Sequence, residues 1–315
     1  MNVRPTGDVP HQEPIPVFEE ATVDFLTEAF ERDGYICDEN IIVPVYLALR
    51  LQKPLLIEGM PGVGKTEIAK VISRVFKVDL IRLQCYEGLD ENKALYEWNY
   101  QRQLLRIEMA KVKPEGDGPR EYACERDLFS DLFSEEYLLE RPLLRAIRSE
   151  ERVVLLIDEI DRTDEEFEAF LFEVLSDFQV SIPELGTLKA RFIPAVVLTS
   201  NRSRDLSDAL KRRCLFLYID YPTIEKEYRI IRAKVPYVSE RLASQVATAV
   251  SRLRNDPEVR KKPSIAESID WAKALVCLEA DSLDPSVLKH TLNLVLKNRE
   301  DFELYKKKEK VASLL

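Results

Sequence analysis

The chain has 315 residues, with 46 basic and 56 acidic side chains and a net charge of −10 at pH 7. Its hydrophobic and charged fractions are those of a globular protein, and its length suits one large domain or two ordinary ones. It contains no apolar run long enough to span a membrane, and its proline-rich start has no secretory pattern. Five scattered cysteines without a CxxC pair and only two histidines argue against disulfides, a zinc site and histidine catalysis. We therefore expect a cytoplasmic protein with no membrane insertion.

The charge is unevenly distributed along the chain. Residues 1–222 carry 28 basic and 42 acidic side chains, a balance of −14, whereas residues 223–315 carry 18 and 14, a balance of +4. A large acidic domain repels phosphate backbones unless a local basic stripe compensates, and no such stripe is visible. We therefore expect no nucleic-acid partner.

Five short runs rich in Val, Ile and Leu predict buried strands, and helical patterns separate them. The runs are 55–57, 80–83, 153–157, 195–200 and 214–219. This alternation predicts βαβ units around a mostly parallel sheet. The clearest helix covers 167–178, with apolar residues at helical spacing, and Thr163 with Glu166 predicts a capping box at its start.

The strand pattern stops after Pro222, and only helices are predicted beyond it, at 224–235, 239–254, 264–279 and 285–310. The sequence therefore predicts a proline-rich extension over 1–20, an α/β domain over 21–222 and an all-helical domain over 223–315. Two stretches do not belong to a minimal sheet. Residues 86–128 form a long aromatic and charged insert with a turn-rich tip, and residues 179–192 alternate as a β-hairpin does.

A glycine-rich segment, LLIEGMPGVGKT, has the spacing GxxxxGK[ST] after an apolar strand and before a helical run. Glycines at these positions let backbone N–H groups surround phosphates at a helix N-terminus. Lys65 would reach the β- and γ-phosphates of ATP, and Thr66 would bind Mg²⁺. The predicted ATP-binding residues are Gly59, Met60, Pro61, Gly62, Val63, Gly64, Lys65 and Thr66.

A second motif, VVLLIDEIDR, places Asp158 and Glu159 at the end of a very apolar strand, where open α/β sheets bind ligands. Asp158 would hold the Mg²⁺ shell with Thr66, while Glu159 would orient and polarise the attacking water. The alternative, an acidic cap for the next helix, is weak because Thr163 is available to cap that helix.

Polar residues after the fourth strand and before the fifth complete the candidate site. Asn201 follows the fourth strand and could hold the lytic water or a γ-phosphate oxygen, although asparagine there is also a common turn former. Arg212 and Arg213 precede the last strand and could reach a neighbouring subunit's phosphates as arginine fingers. Their alternative role, a solvated helix C-terminus, is equally compatible with the residues alone.

These motifs, in this order and with the hairpin before Asn201, resemble AAA+ ATPases and specifically the MoxR family. The segments LIRLQCYEGLDENKALYEWNYQRQLLRIE, FEAFLFEVLSDFQVSIPELG, LTSNRSRDLSDALKRRCLFLYIDYP and KKPSIAESIDWAKAL are most similar to the subgroup of carbon-monoxide-dehydrogenase maturation ATPases. The resemblance implies a core of strand order 5-1-4-3-2 with a helical lid, assembled as a hexameric ring. It also implies that residues 86–128 are the helix-2 insert and residues 179–192 the pre-sensor-1 hairpin.

The same resemblance implies roles for the polar residues. Asn201 would be the sensor-1 residue, and Arg213 is favoured over Arg212 as the finger. It further implies a protein client, commonly a von Willebrand A-domain protein, in the maturation of a metalloenzyme. One departure is clear: many relatives have a sensor-2 arginine in the lid, whereas this chain has Ala266 and Glu267 after the Pro-Ser turn. Lys261 and Lys262 are candidates to replace it.

The main hypothesis is thus an ATP-driven remodelling protein. A nucleic-acid motor is disfavoured by the acidic core, and a nucleotide-switched scaffold with little turnover is disfavoured by the presence of both Glu159 and Asn201. A small-molecule kinase would need neither the hairpin nor the two arginines.

Overall fold

A computed structural model describes residues 15–111 and 132–306, together with 310 and 314. Most of the proline-rich start and the turn-rich tip of the 86–128 insert lie outside these residues. The first described residues already belong to the folded core, since Phe18, in a 3₁₀ turn at Phe18–Glu20, is buried against it.

Five of the described strands form a parallel sheet in the order β2-β5-β8-β1-β9. The strands are β1 (Leu55–Gly59), β2 (Asp79–Gln84), β3 (Tyr96–Trp98), β4 (Leu138–Glu140), β5 (Val153–Asp158), β6 (Gln179–Ile182), β7 (Gly186–Lys189), β8 (Ala195–Ser200) and β9 (Leu215–Ile219). Counting only the five strands of the large sheet, this is the predicted order 5-1-4-3-2, which is confirmed. The antiparallel pairs β3–β4 and β6–β7 stand apart from it, and β6–β7 forms a hairpin within 179–192.

Helices precede, separate and follow these strands. They are α1 (Val23–Arg32), α2 (Glu39–Leu51), α3 (Lys65–Phe76), α4 (Glu91–Ala94), α5 (Tyr100–Lys111), α6 (Pro142–Ile147), α7 (Glu165–Asp177), α8 (Asp208–Arg213), α9 (Ile224–Lys234), α10 (Glu240–Asn255), α11 (Ile265–Cys277), α12 (Pro285–Thr291) and α13 (Arg299–Tyr305). Short 3₁₀ turns lie at Glu135–Tyr137, Ile160–Arg162 and Leu292–Leu294. In the described part of the chain, no helix has the length and apolar character needed to cross a membrane.

Two details of the helix prediction are wrong. The single helix expected over 285–310 is broken, because the Asn298 side chain accepts the backbone N–H groups of Glu300 and Asp301 and starts α13 there. The capping box at Thr163 is also absent. Asp164 caps α7 by accepting the N–H of Phe167 at 2.8 Å, while the Thr163 hydroxyl donates to the Ile160 carbonyl.

Helices cover both faces of the sheet, because its three central strands, β5, β8 and β1, are apolar on both sides. Leu155 and Leu198 pack towards α6, α7 and α8, in one buried cluster. Val154 and Val197, their neighbours along the strands, belong to a second cluster with α1, α2 and α3. This double covering makes the sheet rigid, and the loops at its carboxyl edge are fixed on that frame.

The helices after β9 form their own core around Trp271 and contain a buried ion pair. Glu227 of α9 and Arg254 of α10 have side chains that are 0% and 5% exposed, and they form a two-pronged pair. Ser268 of α11 donates to Glu227 at 2.6 Å, and Arg254 also donates to the Pro263 carbonyl at 2.7 Å. The pair therefore joins three lid helices and fixes the turn that begins α11.

Removing one partner of this pair should destabilise the lid strongly. Arg254→Met leaves the Glu227 carboxylate buried without its cation, and we expect a loss of about 3–5 kcal/mol in the free energy of unfolding. Denaturant unfolding followed by circular dichroism measures it. The double variant Arg254→Met, Glu227→Leu should recover most of the loss. Arg32→Met, which breaks a pair with 76% and 65% exposed side chains, is the control and should change little. Equal effects of Arg254→Met and Arg32→Met would contradict this view of the lid.

Candidate functional site

The site lies at the carboxyl edge of the sheet, where β1, β5 and β8 end side by side. The glycine-rich loop follows β1 and leads into α3. Gly59 is packed so tightly that a Cβ atom there would lie 2.1 Å from the Ile219 carbonyl oxygen of β9. Gly64 has φ +94° and directly precedes the first turn of α3, a conformation that favours glycine. The loop therefore depends on glycine for both its packing and its turn.

Lys65 is the cation at the centre of this edge and is only 5% exposed. Its Nζ donates to the carbonyls of Gly59 and Met60 and to Oδ1 of Asn201, each at 2.8 Å. Burial lowers the pKa of Lys65 to about 8, although the nearby charges of Asp161, Asp158 and Glu159 act in the opposite direction.

Asp158 is a buried carboxylate that collects hydrogen bonds from three elements of the fold. Its Oδ1 accepts from the hydroxyls of Thr66 at 3.0 Å and Thr199 at 2.5 Å. Its Oδ2 accepts from Arg82 of β2, with Nη2 at 2.6 Å and Nε at 3.2 Å. The predicted partnership of Thr66 with Asp158 is therefore present in the geometry.

Glu159 follows Asp158 in a left-handed backbone conformation, with φ +58°. Non-glycine residues adopt that region at an energetic cost, and such residues cluster at functional sites. Asn201 Nδ2 donates to Oε1 of Glu159 at 3.1 Å, and Gln84 Nε2 donates to Oε2 of Glu159 at 3.1 Å. Arg162 forms an ion pair with Oε2 at 2.9 Å. Asn201 thus contacts both Lys65 and Glu159.

Asp161 has a structural role in the loop after β8. It is 3% exposed and accepts hydrogen bonds from the backbone and hydroxyl of Ser203 and from the backbone of Asn201. Burial raises the pKa of Asp161, but these hydrogen bonds lower it by more, and the result is a pKa below the ordinary value. Asp161 therefore stays ionised and holds the loop after β8 in place.

One cavity of about 620 Å³ lies between the sheet edge and the lid, and its volume is typical of small-molecule sites. Lys65, Thr66, Asp158, Glu159 and Asn201 form its polar end. The opposite end is more apolar and is lined by residues from the segment before α2 and from the lid helices α9 and α11. These include Tyr35, Ile36, Ile230, Ile265 and Ile269. The cavity is therefore polar at the sheet edge, whereas at the lid apolar side chains lie beside Lys226 and Lys234.

The lid touches the glycine-rich loop through its backbone. The N–H of Ile265 donates to the Gly62 carbonyl at 3.1 Å, and a Cβ at Gly62 would lie 2.3 Å from the Cβ of Ser264. Ala266 lines the cavity at the start of α11. The suggestion that Lys261 or Lys262 reaches the nucleotide is not supported by the geometry. The Lys262 ammonium donates to the Asp256 carbonyl, and neither lysine lines the cavity.

Arg212 and Arg213 lie at the other edge of the sheet. They end α8 just before β9, whose first residue pairs with the first residue of β1. The five residues of β1 separate them from the glycine-rich loop by about 17 Å at the usual strand rise. Arg213 donates to Ser176 Oγ at 2.7 Å and stacks on Phe172, whereas Arg212 is exposed and makes no hydrogen bond or ion pair within the described residues. Neither arginine can serve the phosphate site of its own chain.

Sequence reasoning missed three side chains that hold the acids: Arg82, Gln84 and Arg162. The signal for the first two was available in β2, whose charged and polar residues alternate with buried Ile81 and Leu83 up to the strand's end. In a parallel sheet this periodicity aims Arg82 and Gln84 at one face, and the register places Gln84 beside Asp158. That register, however, is a property of the folded sheet.

Comparison with known proteins agrees with this geometry. Residues 54–214, half of the chain, match the AAA domain of the dynein-related subfamily. The chain belongs to this AAA family. A relative described as an uncharacterized protein of Staphylococcus epidermidis (strain ATCC 12228 / FDA PCI 1200) is 23% identical over 248 residues, covering 76% of this chain and 82% of that one.

A RuvB variant from Thermotoga maritima shares the fold of this AAA protein, with TM-score 0.50 and 21% identity, covering 86% of this chain and 73% of that one. The RuvB structure described as a Holliday junction branch migration motor has TM-score 0.46 and 18% identity, with 89% and 69% covered. At these identities the likeness shows the fold alone. The AAA family and its fold are therefore established, as the resemblance implied, whereas the MoxR subgroup is not.

The pKa of Lys65 gives the site a predicted pH dependence. Phosphate binding requires the ammonium form, so affinity for ATP should fall as pH rises through about 8, the pKa of Lys65 in the free protein. Between pH 7 and pH 9 we expect about a tenfold loss, because at pH 9 about one lysine in ten is protonated. Titration calorimetry at each pH measures it. Lys65→Arg, which stays charged, should show a flat profile at whatever affinity it retains. A flat wild-type profile would contradict the lowered pKa.

Proposed function

We propose that this AAA protein binds ATP with Mg²⁺ in the cavity and hydrolyses it to ADP and phosphate. One observation carries the proposal: a phosphate-binding loop with Lys65 and Thr66 faces Asp158, Glu159 and Asn201 across a single cavity. Those residue types are the ones that phosphoryl transfer to water needs, namely a phosphate cradle, a metal-binding acid and a group that positions water.

The donor set at the sheet edge fits Mg²⁺. The Thr66 hydroxyl and an Asp158 carboxylate oxygen lie 3.0 Å apart, and both are the hard oxygen ligands that Mg²⁺ prefers, completed by phosphates and water. When bound there, the ion would neutralise charge that develops on the phosphates. Lys65 would exchange its carbonyl partners for phosphate oxygens, whose negative charge favours the ammonium form.

Glu159 would accept a hydrogen bond from the attacking water and orient that water towards the γ-phosphate. In the structure its two carboxylate oxygens are held by Asn201, Gln84 and Arg162, so the side chain has a fixed position beside the cavity. Asn201, which also contacts Lys65, would align the water with the phosphate. Such positioning supplies much of the catalysis in phosphoryl transfer.

Two substitutions separate binding from chemistry. Lys65→Ala should abolish nucleotide binding, because it removes the buried cation from the phosphates. Glu159→Gln should bind ATP with an affinity near that of the wild type and lose more than about 95% of turnover, because only the orientation of water is affected. Fluorescent-nucleotide titration and phosphate release measure the two properties. A Glu159→Gln protein that retains substantial turnover would contradict the assignment of the catalytic acid.

We further propose that the active protein is a ring, hexameric by its MoxR resemblance, with ATP between subunits. The support is positional. Arg212 and Arg213 lie about 17 Å from their own glycine-rich loop, on a surface that a neighbour could meet. Arg213 has the family position of the finger, and Arg212 makes no hydrogen bond or ion pair with the part of the chain that the structure describes.

Hydrolysis should therefore depend on assembly. An arginine acting in trans contributes a factor of about 10³–10⁵ in kcat, so specific activity should rise with protein concentration through the assembly range. Mixing Glu159→Gln with Arg213→Ala subunits should restore turnover, because some interfaces pair an intact acid with an intact finger. The same mixture with Arg212→Ala identifies which arginine is used. Activity that is independent of concentration, with neither mixture recovering, would return both arginines to a structural role.

For the role of hydrolysis we propose remodelling or maturation of a protein client, with a von Willebrand A-domain partner as the resemblance implies and metalloenzyme assembly as the setting. The −14 balance of residues 1–222 supports a protein client over DNA. DNA binding that weakens steeply with salt would instead favour a nucleic-acid motor. A nucleotide-switched scaffold would bind ATP as well but would show no turnover in the assembled state.

A further inference from the structure

We propose that Arg82 binds the γ-phosphate and makes the site distinguish ATP from ADP. The inference rests on the proposed nucleotide function and deepens it, since it assigns a residue that neither the sequence motifs nor the family match indicates. The polar end of the cavity contains the carboxylates of Asp158 and Glu159 beside Lys65.

Arg82 lies at the polar end of the cavity, because it contacts Asp158. Its guanidinium donates to Oδ2 of Asp158 at 2.6 Å, while Thr66 donates to Oδ1 of the same carboxylate at 3.0 Å. The two side chains therefore sit on the two oxygens of one acid. Because Thr66 is the residue after Lys65 in the phosphate loop, a phosphate near Thr66 lies within reach of Arg82.

Arg162 already pairs with Glu159 but does not line the cavity, so a cation for an incoming phosphate has to come from the residues that do. Asp158, Glu159 and Asp161 all act on Lys65, and a γ-phosphate would add further negative charge. Of the other described cations that line the cavity, Lys226 is paired with Asp38 at 2.6 Å and Lys234 lies against Gly34. Both belong to lid helix α9 and lie against the segment before α2.

The remaining cation, Lys70, lies one turn along α3 and is 3.6 Å from Glu67. The lid contributes Ala266 rather than a guanidinium at the start of α11. Among the described cations that line the cavity, Arg82 is therefore the one that forms an ion pair with a carboxylate of the polar end.

The guanidinium also has free bonding capacity. Its contacts to Asp158 and Gln84 use Nε and Nη2, and within the described residues Nη1 makes no hydrogen bond. The side chain is 51% exposed, so it can shift without disturbing a packed core. Arginine presents paired N–H groups that match phosphate oxygens, and a γ-phosphate could be held by Nη1 while Asp158 keeps its contact.

The test compares ATP and ADP affinities in EDTA, so that no metal contributes. Arg82→Gln should weaken ATP about tenfold and leave ADP within about twofold, because one charge-assisted contact to the γ-phosphate is lost. Arg82→Lys keeps the charge and should retain part of the preference. Lys226→Gln removes a cation from the far wall and is the matched control. It should change ATP and ADP affinities equally. Thermal melting verifies that each variant is folded.

The alternative is that Arg82 only positions Asp158. ATP and ADP affinities would then change together, or not at all, in both Arg82 variants, and the inference would be wrong while the proposed function stood. A folded wild-type protein that binds neither nucleotide would overturn the proposed function and this inference with it.

Discussion

The buried carboxylate of Asp158 is the constraint on which the rest of the site depends. An ionised group that is 4% exposed is costly to bury unless its oxygens are satisfied, and here they are satisfied by three other elements. Thr66 comes from the first turn of α3, Thr199 from β8 and Arg82 from β2. The parallel register brings these elements together, so the sheet's topology and the site's electrostatics impose the same geometry.

Asn201 connects the two halves of the site. Its side chain accepts from Lys65 and donates to Glu159, so a single amide spans the distance between the phosphate cation and the water-positioning acid. Its backbone is held by Asp161. A ligand that draws Lys65 away from Asn201 would change the hydrogen bonding of Glu159 as well, which links occupancy of the cavity to the readiness of the acid.

Local pattern in the sequence predicted much of the fold and the central site. Short runs rich in Val, Ile and Leu predicted the strands, and motif order placed Lys65, Asp158 and Asn201 together. What failed depended on contacts distant in sequence or on competition between neighbouring caps. Asp164 displaced Thr163 as the cap of α7, and Asn298 started a new helix inside a continuous helical pattern. The ion pair between Arg82 and Asp158, which are 76 residues apart in sequence, follows from the pairing of β2 with β5.

The main-chain contact between the lid and the phosphate loop has a consequence for how this protein can vary. Because the Ile265 N–H and the Gly62 carbonyl make the bond, it survives replacement of the Ile265 side chain by almost any residue except proline. Gly62 has no such latitude, since a methyl group there would meet Ser264. Substitution is thus tolerated at position 265 of the lid but not at position 62 of the loop, and the contact between lid and loop depends on glycine at position 62.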